Sequence, residues 1–262
     1  MAERPTNAGP LFEERDRAES FGAVAEQYDR VRPSYPSALV DGLLEPGVES
    51  VLDVGCGTGI AGALFLERGC TVLGVEVDAR MAELARGKGL DVEVARFEEW
   101  RPDGRLFDLV ISAQAWHWID PRRGAVQAAH ALRPGGRIGL FWNFADFPPG
   151  VREVVMPIYD RLEPGLEGYS ALVGNRDDRA ETTLAGIAGS GEFGEAQRRT
   201  FPWSKTYDTA SWLEQLETHS DHRSLAPERR ERLLSAVGEA IDTLGGSFEM
   251  PYETILISAV RS

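Results

Sequence analysis

A chain of 262 residues and 28.8 kDa has room for one large α/β domain or for a core domain with a smaller lid. Its 28 basic and 42 acidic residues leave a net charge of −14, which argues against a nucleic-acid partner, because binding of that kind is mostly counterion release by clustered Lys and Arg. No apolar run approaches the roughly 20 residues of a spanning helix, so no membrane partner is expected, and two cysteines, Cys56 and Cys70, read as free thiols of a reducing, cytoplasmic compartment.

Residues 1–20 are charged and lack an apolar core, and are expected to form a flexible tail rather than a signal peptide or an anchor. Residues 21–48 carry apolar side chains at helical intervals interrupted by Pro33 and Pro36, which predicts two short cap helices joined by an extended kink. From 49 to 145 strand and helix patterns alternate. The strands are "SVLDVG", "TVLGVEV", "LDVEVA", "FDLVISA" and "RIGLFWN", the last preceded by a turn "RPGG". Strands spaced by ten-residue helices define βαβ units, hence a doubly wound, mostly parallel sheet with helices on both faces. Residues 146–195 degrade into Pro, Gly and short helical pieces and read as a lid or insertion. Residues 196–262 supply two final strands, "AQRRTFPWSKTYD" and "YETILISAV", with two helices between them.

The first strand runs into "VLDVGCGTG", with Gly55, Gly57 and Gly59 in the strand-to-helix turn. In an open α/β sheet ligands lie beyond the carboxyl ends of the strands, and glycines there admit positive φ and let a ligand lie against bare backbone at a helix N-terminus. Glu76 ends the second strand about 20 residues later, where a carboxylate accepts hydrogen bonds from ribose hydroxyls. The pattern predicts a grip on a riboside. Gly57, Gly59 and Gly62 also spell the dinucleotide fingerprint GxGxxG, a weak signal alone. Against a dinucleotide, Asp53 would repel a pyrophosphate but suits a ligand carrying an ammonium group.

Taken in order, "VLDVGCGTG", "GVEVD", "FDLVISAQAWHW" and "LRPGG" resemble the class I S-adenosylmethionine-dependent methyltransferases over about residues 21–143, nearest to the small-molecule branch in which an "FGAVAEQYD"-like helix precedes the core. The resemblance implies a seven-stranded Rossmann-like methyltransferase sheet with the last strand antiparallel, a helical lid, and S-adenosylmethionine as cofactor. By position it implies that Gly55 and Gly57 contact the methionyl part and that Asp53 lies near its ammonium. Cys56, Thr58 and Gly59 complete the turn, and Glu76 holds the ribose. Val77 and Met81 would pack on the adenine, and Phe97 and Glu98 would address its edge. Ala113 and Gln114 would border the methyl position under Tyr28. Arg96 stands where many relatives carry a small polar or acidic residue.

Transfer from a sulfonium needs positioning more than a dedicated nucleophile, and a base only where the acceptor must lose a proton. His117, between Trp116 and Trp118, is the candidate base. Trp116, Trp142, Asn143, Phe144 and Tyr35 are candidate walls of an acceptor pocket for a small apolar or aromatic metabolite, one of the two loop tryptophans being expected in the sheet packing. His219 joins them from the last helical region. His219 and His222 are three apart, but no third ligand lies nearby and no metal is expected. The accepting atom stays open among O, N and C. The oligomeric state stays open between monomer and homodimer. A nicotinamide-dependent oxidoreductase and a noncatalytic cofactor-binding module are the alternative functions.

Overall fold

The computed structural model describes residues 21–164 and 176–262, with Phe12 and Leu166 besides. A short turn of 3-10 helix at Phe21–Val24 leads into α1 (Ala25–Val31) and α2 (Ser37–Leu43). There follow β1 (Ser50–Val54), α3 (Ile60–Leu66), β2 (Thr71–Glu76), α4 (Ala79–Gly87), β3 (Asp91–Val94), β4 (Phe107–Ala113), α5 (Pro121–Ala131) and β5 (Leu132–Ala145). The remainder is α6 (Pro149–Leu162), α7 (Arg176–Ser190), β6 (Gln197–Asp208), α8 (Thr209–Glu217), α9 (Ser220–Arg223), α10 (Pro227–Thr243) and β7 (Ser247–Val260).

These elements form one seven-stranded sheet in the order β3-β2-β1-β4-β5-β7-β6, with β1 to β5 parallel and β7 antiparallel to both β5 and β6. β1 is buried on both faces, with Val51, Leu52 and Val54 all inaccessible, as expected for a strand inside a doubly wound sheet. Strand order reverses between β1 and β4, and the crevice above that point is where this class of fold takes its ligands.

Local chemistry fixes the helix starts. Asp78 caps α4 by accepting from the Arg80 amide, and Asp120 caps α5 by accepting from the amides of Arg122 and Arg123, with Pro121 in the first turn. Asp208 and Ser211 form a reciprocal capping box on α8. The sheet is covered on one face by α5 and α7, whose core includes Trp116, Trp142 and Phe144. On the other face Leu39, Val40 and Leu43 of α2 pack with Val51, Leu109 and Phe141. A third core joins α6, α8 and α10 to the far ends of β5, β6 and β7.

Two local expectations change. The "RPGG" segment is not a turn ahead of β5 but part of it: Arg261 at the end of β7 exchanges backbone hydrogen bonds with Gly135 and Gly136, and the pairing with β4 shifts register between Phe107 and Leu109. Among the described residues, the short helical pieces after residue 146 are two full helices. α6 runs through Pro157 and packs on α10, whereas α7 packs on α5 and β7. No helix among the described residues is long and apolar enough to cross a membrane.

Candidate cofactor and acceptor site

The turn after β1 places three glycines at positive φ: Gly55 at 66°, Gly57 at 55° and Gly59 at 81°. A side chain is excluded at Gly55 by space as well as by backbone, since a Cβ there would lie 2.5 Å from that of Ala115. Gly59 is the N-cap of α3 and stands behind the cavity, while Gly55, Cys56, Gly57 and Thr58 line it. The amides of Gly55 and Cys56 donate to the Val75 carbonyl (2.8 and 3.3 Å), which ties the turn to β2.

Glu76 ends β2 within that cavity. Its Oε2 accepts from the Gly57 amide at 2.8 Å, and its Oε1 from the amides of Val77 and Asp78 at 2.9 and 3.0 Å. Burial nevertheless holds this carboxyl above the usual carboxylate range. Asp53 is inaccessible and lies behind the lining against α3, where Gly62 leaves room for its Oδ2. Neither of its oxygens makes a well-formed hydrogen bond among the described residues, the Gly62 amide being a backbone donor that faces it, and burial, then the Glu76 charge, push its carboxyl up to about 7. A second unpartnered buried atom, the Thr58 hydroxyl, belongs to the turn itself. Buried polar groups short of partners call for an explanation such as an ordered water or a bound ligand.

The rest of the cavity is lined from four segments. Val77, Asp78 and Met81 form one side, and Arg96, Phe97 and Glu98 lie beyond β3. Ala113, Gln114 and Ala115 follow β4, and Tyr28 and Tyr35 close it from the cap. Gln114 is one of two non-glycine residues at positive φ among those described, 57°, and its side-chain amide donates to the Asn143 carbonyl at 3.1 Å. That conformation carries strain at the cavity edge.

The acceptor candidates divide. Tyr35 lines the cavity and meets Phe141 edge-on at 4.8 Å. Trp116, expected at the acceptor wall, is 1% exposed and packs in the core with Phe97, whereas Trp118 lines the cavity. The two tryptophans point different ways because residues 116–118 form a turn of 3-10 helix, in which residues two apart do not share a face. His117 does not line the cavity. Its ring lies 4.8 Å from that of Trp118, and its Nδ1 accepts from Trp142 Nε1 at 3.4 Å. Trp142 and Phe144 are buried in the same core as Trp116, and Phe144 lies under the guanidinium groups of Arg176 and Arg179.

Asn143 faces the cap instead. Its Nδ2 donates to the Ser34 carbonyl at 3.0 Å, and its Oδ1 accepts from Thr254 at 2.6 Å. His219 is buried beyond the cap, at the end of α8, and does not line the cavity. His222 is occupied by Asp221 and by the Tyr159 hydroxyl, and no metal-binding group of three His, Cys, Asp or Glu occurs among the described residues. Among the lining residues that sequence reasoning did not place are Asp78, Ala115 and Ile119, and it left Trp116 and Trp118 undistinguished by pattern. Only the adjacency of Asp78 to Glu76 offered a signal.

A family described as a methyltransferase domain matches residues 51–136. An uncharacterised methyltransferase of Mycobacterium tuberculosis is 43% identical over 144 residues, spanning 53% of this chain and 59% of that protein. A malonyl-[acyl-carrier protein] O-methyltransferase of Enterobacter lignolyticus is 32% identical over 189 residues, 67% of this chain and 74% of that one. Among solved structures, a chain from Anaeromyxobacter dehalogenans assigned as a type II methyltransferase matches at 25% identity and a TM-score of 0.59, covering 88% of this chain and 96% of that one. With these matches and this sheet order, the chain belongs to the class I S-adenosylmethionine-dependent methyltransferases. The match spans just under three fifths of the length of its mycobacterial relative.

Proposed function

We propose that the chain transfers a methyl group from S-adenosylmethionine to a small acceptor with a largely apolar or aromatic body. The observation that carries this reading is that the glycine turn after β1, the acid ending β2 and the rims of β3 and β4 enclose one cavity, backed by the buried Asp53 carboxyl. An antiparallel β7 inserted between β5 and β6 speaks against the nicotinamide alternative, and Gly62, the third glycine of that fingerprint, is explained by packing against Leu90 and Asp53.

The residues fit the cofactor. The backbone of Gly55 to Gly57 would take the methionyl part, with Asp53 supplying negative charge behind it. Glu76 retains acceptor capacity after its three backbone bonds and would receive the ribose hydroxyls. Val77, Met81 and Phe97 offer apolar faces for the adenine, and Glu98 lies where its edge would come. When bound, the sulfonium supplies an electrophilic methyl group whose departure leaves a neutral thioether. Tyr28, Tyr35 and Trp118 exclude water and confront the methyl position with aromatic faces that stabilise a cation. His117 then positions Trp118 rather than removing a proton.

The test is calorimetric titration with S-adenosylmethionine, S-adenosylhomocysteine and NADH in parallel. Micromolar binding of the first two alone, about −8 kcal/mol, is expected. Binding of NADH alone would overturn the reading, and binding of the two sulfur nucleosides without methyl transfer to any acceptor would favour a noncatalytic module.

A further inference from the structure

Two cations at the end of α1, one of them over the cavity-lining ring of Tyr28, have no counter-charge among the described residues. Arg32 follows α1 and is partly buried. Its Nε and one terminal nitrogen donate to the hydroxyl and carbonyl of Thr218, each at 2.9 Å. Its guanidinium carbon lies 4.7 Å from the ring centroid of Tyr28, which lines the cofactor cavity. Lys205 on β6 is also partly buried. It donates to the Val31 carbonyl at 3.0 Å and sits 4.6 Å from the ring centroid of Tyr207. Neither makes an ion pair among the described residues, although the chain carries 42 acidic residues and the neighbouring Arg30 and Lys88 are paired with Glu214 and Asp29.

Uncharged rings pack beside the two cations, while the Asp221 carboxylate, which also acts on His219, is bonded to His222. The hydroxyls of Tyr207 and Tyr252 are bonded to each other at 2.8 Å. His219, next in sequence to the residue that anchors Arg32, is 4% exposed, and its Nε2 has no partner among the described residues. Burial and then the Arg32 charge hold its imidazole well below the usual range. A partly desolvated cation without a counter-charge is costly, and so is a buried ring nitrogen with nothing to bond. Both costs fall if a ligand brings an anion to this place.

We propose that Arg32 and Lys205 hold a carboxylate borne by the methyl acceptor, on the side of the cavity roofed by α1. The proposal rests on the methyltransferase reading above. Carboxylate fits better than phosphate because Arg32 already commits two nitrogens to Thr218 and Lys205 one proton to Val31. What remains suits a planar pair of oxygens rather than three tetrahedral ones.

The experiment uses the full chain saturated with S-adenosylhomocysteine and titrated with benzoate, octanoate and malonate, with the matching amides, and with inorganic phosphate. At least one carboxylate is expected to bind about tenfold more tightly than its amide, the scale of a charge-assisted hydrogen bond. Arg32→Gln should abolish that preference and Arg32→Lys retain part of it. Lys205→Gln, which leaves the Thr218 anchor intact, should also reduce it, with affinity for S-adenosylhomocysteine unchanged in every variant. Amides binding as well as carboxylates, phosphate outcompeting all three, no carboxylate binding below about 10 mM, or the full preference persisting in both Gln variants would each overturn the proposal. Failure of the unaltered chain to bind S-adenosylhomocysteine would instead overturn the cofactor reading.

Discussion

The Gly57 amide donates to Glu76 Oε2 at 2.8 Å, joining the turn after β1 to the tip of β2 through the side chain expected to receive the ribose. Glu76 therefore shapes the turn as well as lining the cavity. Glu76→Gln should weaken S-adenosylhomocysteine binding about tenfold, and Glu76→Ala more, because hydrogen bonds to a charged group contribute about 1.5–3 kcal/mol. Calorimetry checks this, and unchanged affinity in both variants would remove Glu76 from the cofactor site.

Asp53 makes stability depend on pH with a defined sign. Its carboxyl is held at about 7 in the folded chain, against 3.8 as its ordinary value, so between those pH values the folded state binds the extra proton. Its contribution is present in full below about pH 4 and is lost as pH rises through about 7, on the order of 4 kcal/mol. Thermal unfolding from pH 4 to 8 should show wild-type stability falling relative to Asp53→Asn. An ammonium placed near Asp53 favours its ionised form, so S-adenosylmethionine binding near pH 6 should release a proton, visible in buffers of different ionisation enthalpy. Parallel pH profiles in the two proteins would contradict this.

Gly55 and Gly57 should differ in their tolerance of a methyl group. Gly55→Ala puts a Cβ 2.5 Å from Ala115 at a φ of 66°, whereas at Gly57 the nearest atom is Met81 Cε at 3.6 Å. Both carry the left-handed backbone cost of about 1–2 kcal/mol. Only Gly55→Ala adds a steric conflict, so its melting temperature should be the lower. Equal melting temperatures would show that Ala115 yields freely.

Trp116 and Trp118 separate packing from binding. Trp116→Ala should destabilise the fold by about 3–5 kcal/mol, the range for a buried aromatic truncated in a core. Trp118→Ala should leave thermal stability nearly intact while weakening S-adenosylmethionine binding. For His117→Ala, loss of the acceptor for Trp142 Nε1 should cost about 1–3 kcal/mol of stability. Its turnover should retain the wild-type pH profile. Loss of a titration near neutrality in that profile would restore His117 as a base.

The sheet and the cofactor half of the site were legible in the sequence because both rest on short-range signals. "VLDVGCGTG" encodes a buried strand, its turn and a helix start within nine residues, and Glu76 follows from strand length alone. The acceptor half was not, because it depends on contacts between remote segments. Nothing local tells Trp116 from Trp118, whose roles are set by a single 3-10 turn, and nothing near Arg32 announces Thr218. Phe144 and Trp142 were placed at the rim by their position at the end of β5. The packing of α7 against α5 encloses that face of the sheet.

Helix α1 is held from two directions. Asp29 pairs with Lys88 at the end of α4, while Gln27 donates to Glu217 at 2.8 Å and Arg30 to Glu214 at 3.1 Å on α8. The two halves of the chamber thus share one roof beam. A displacement of that beam on the α4 side would therefore act on its contacts with α8 as well.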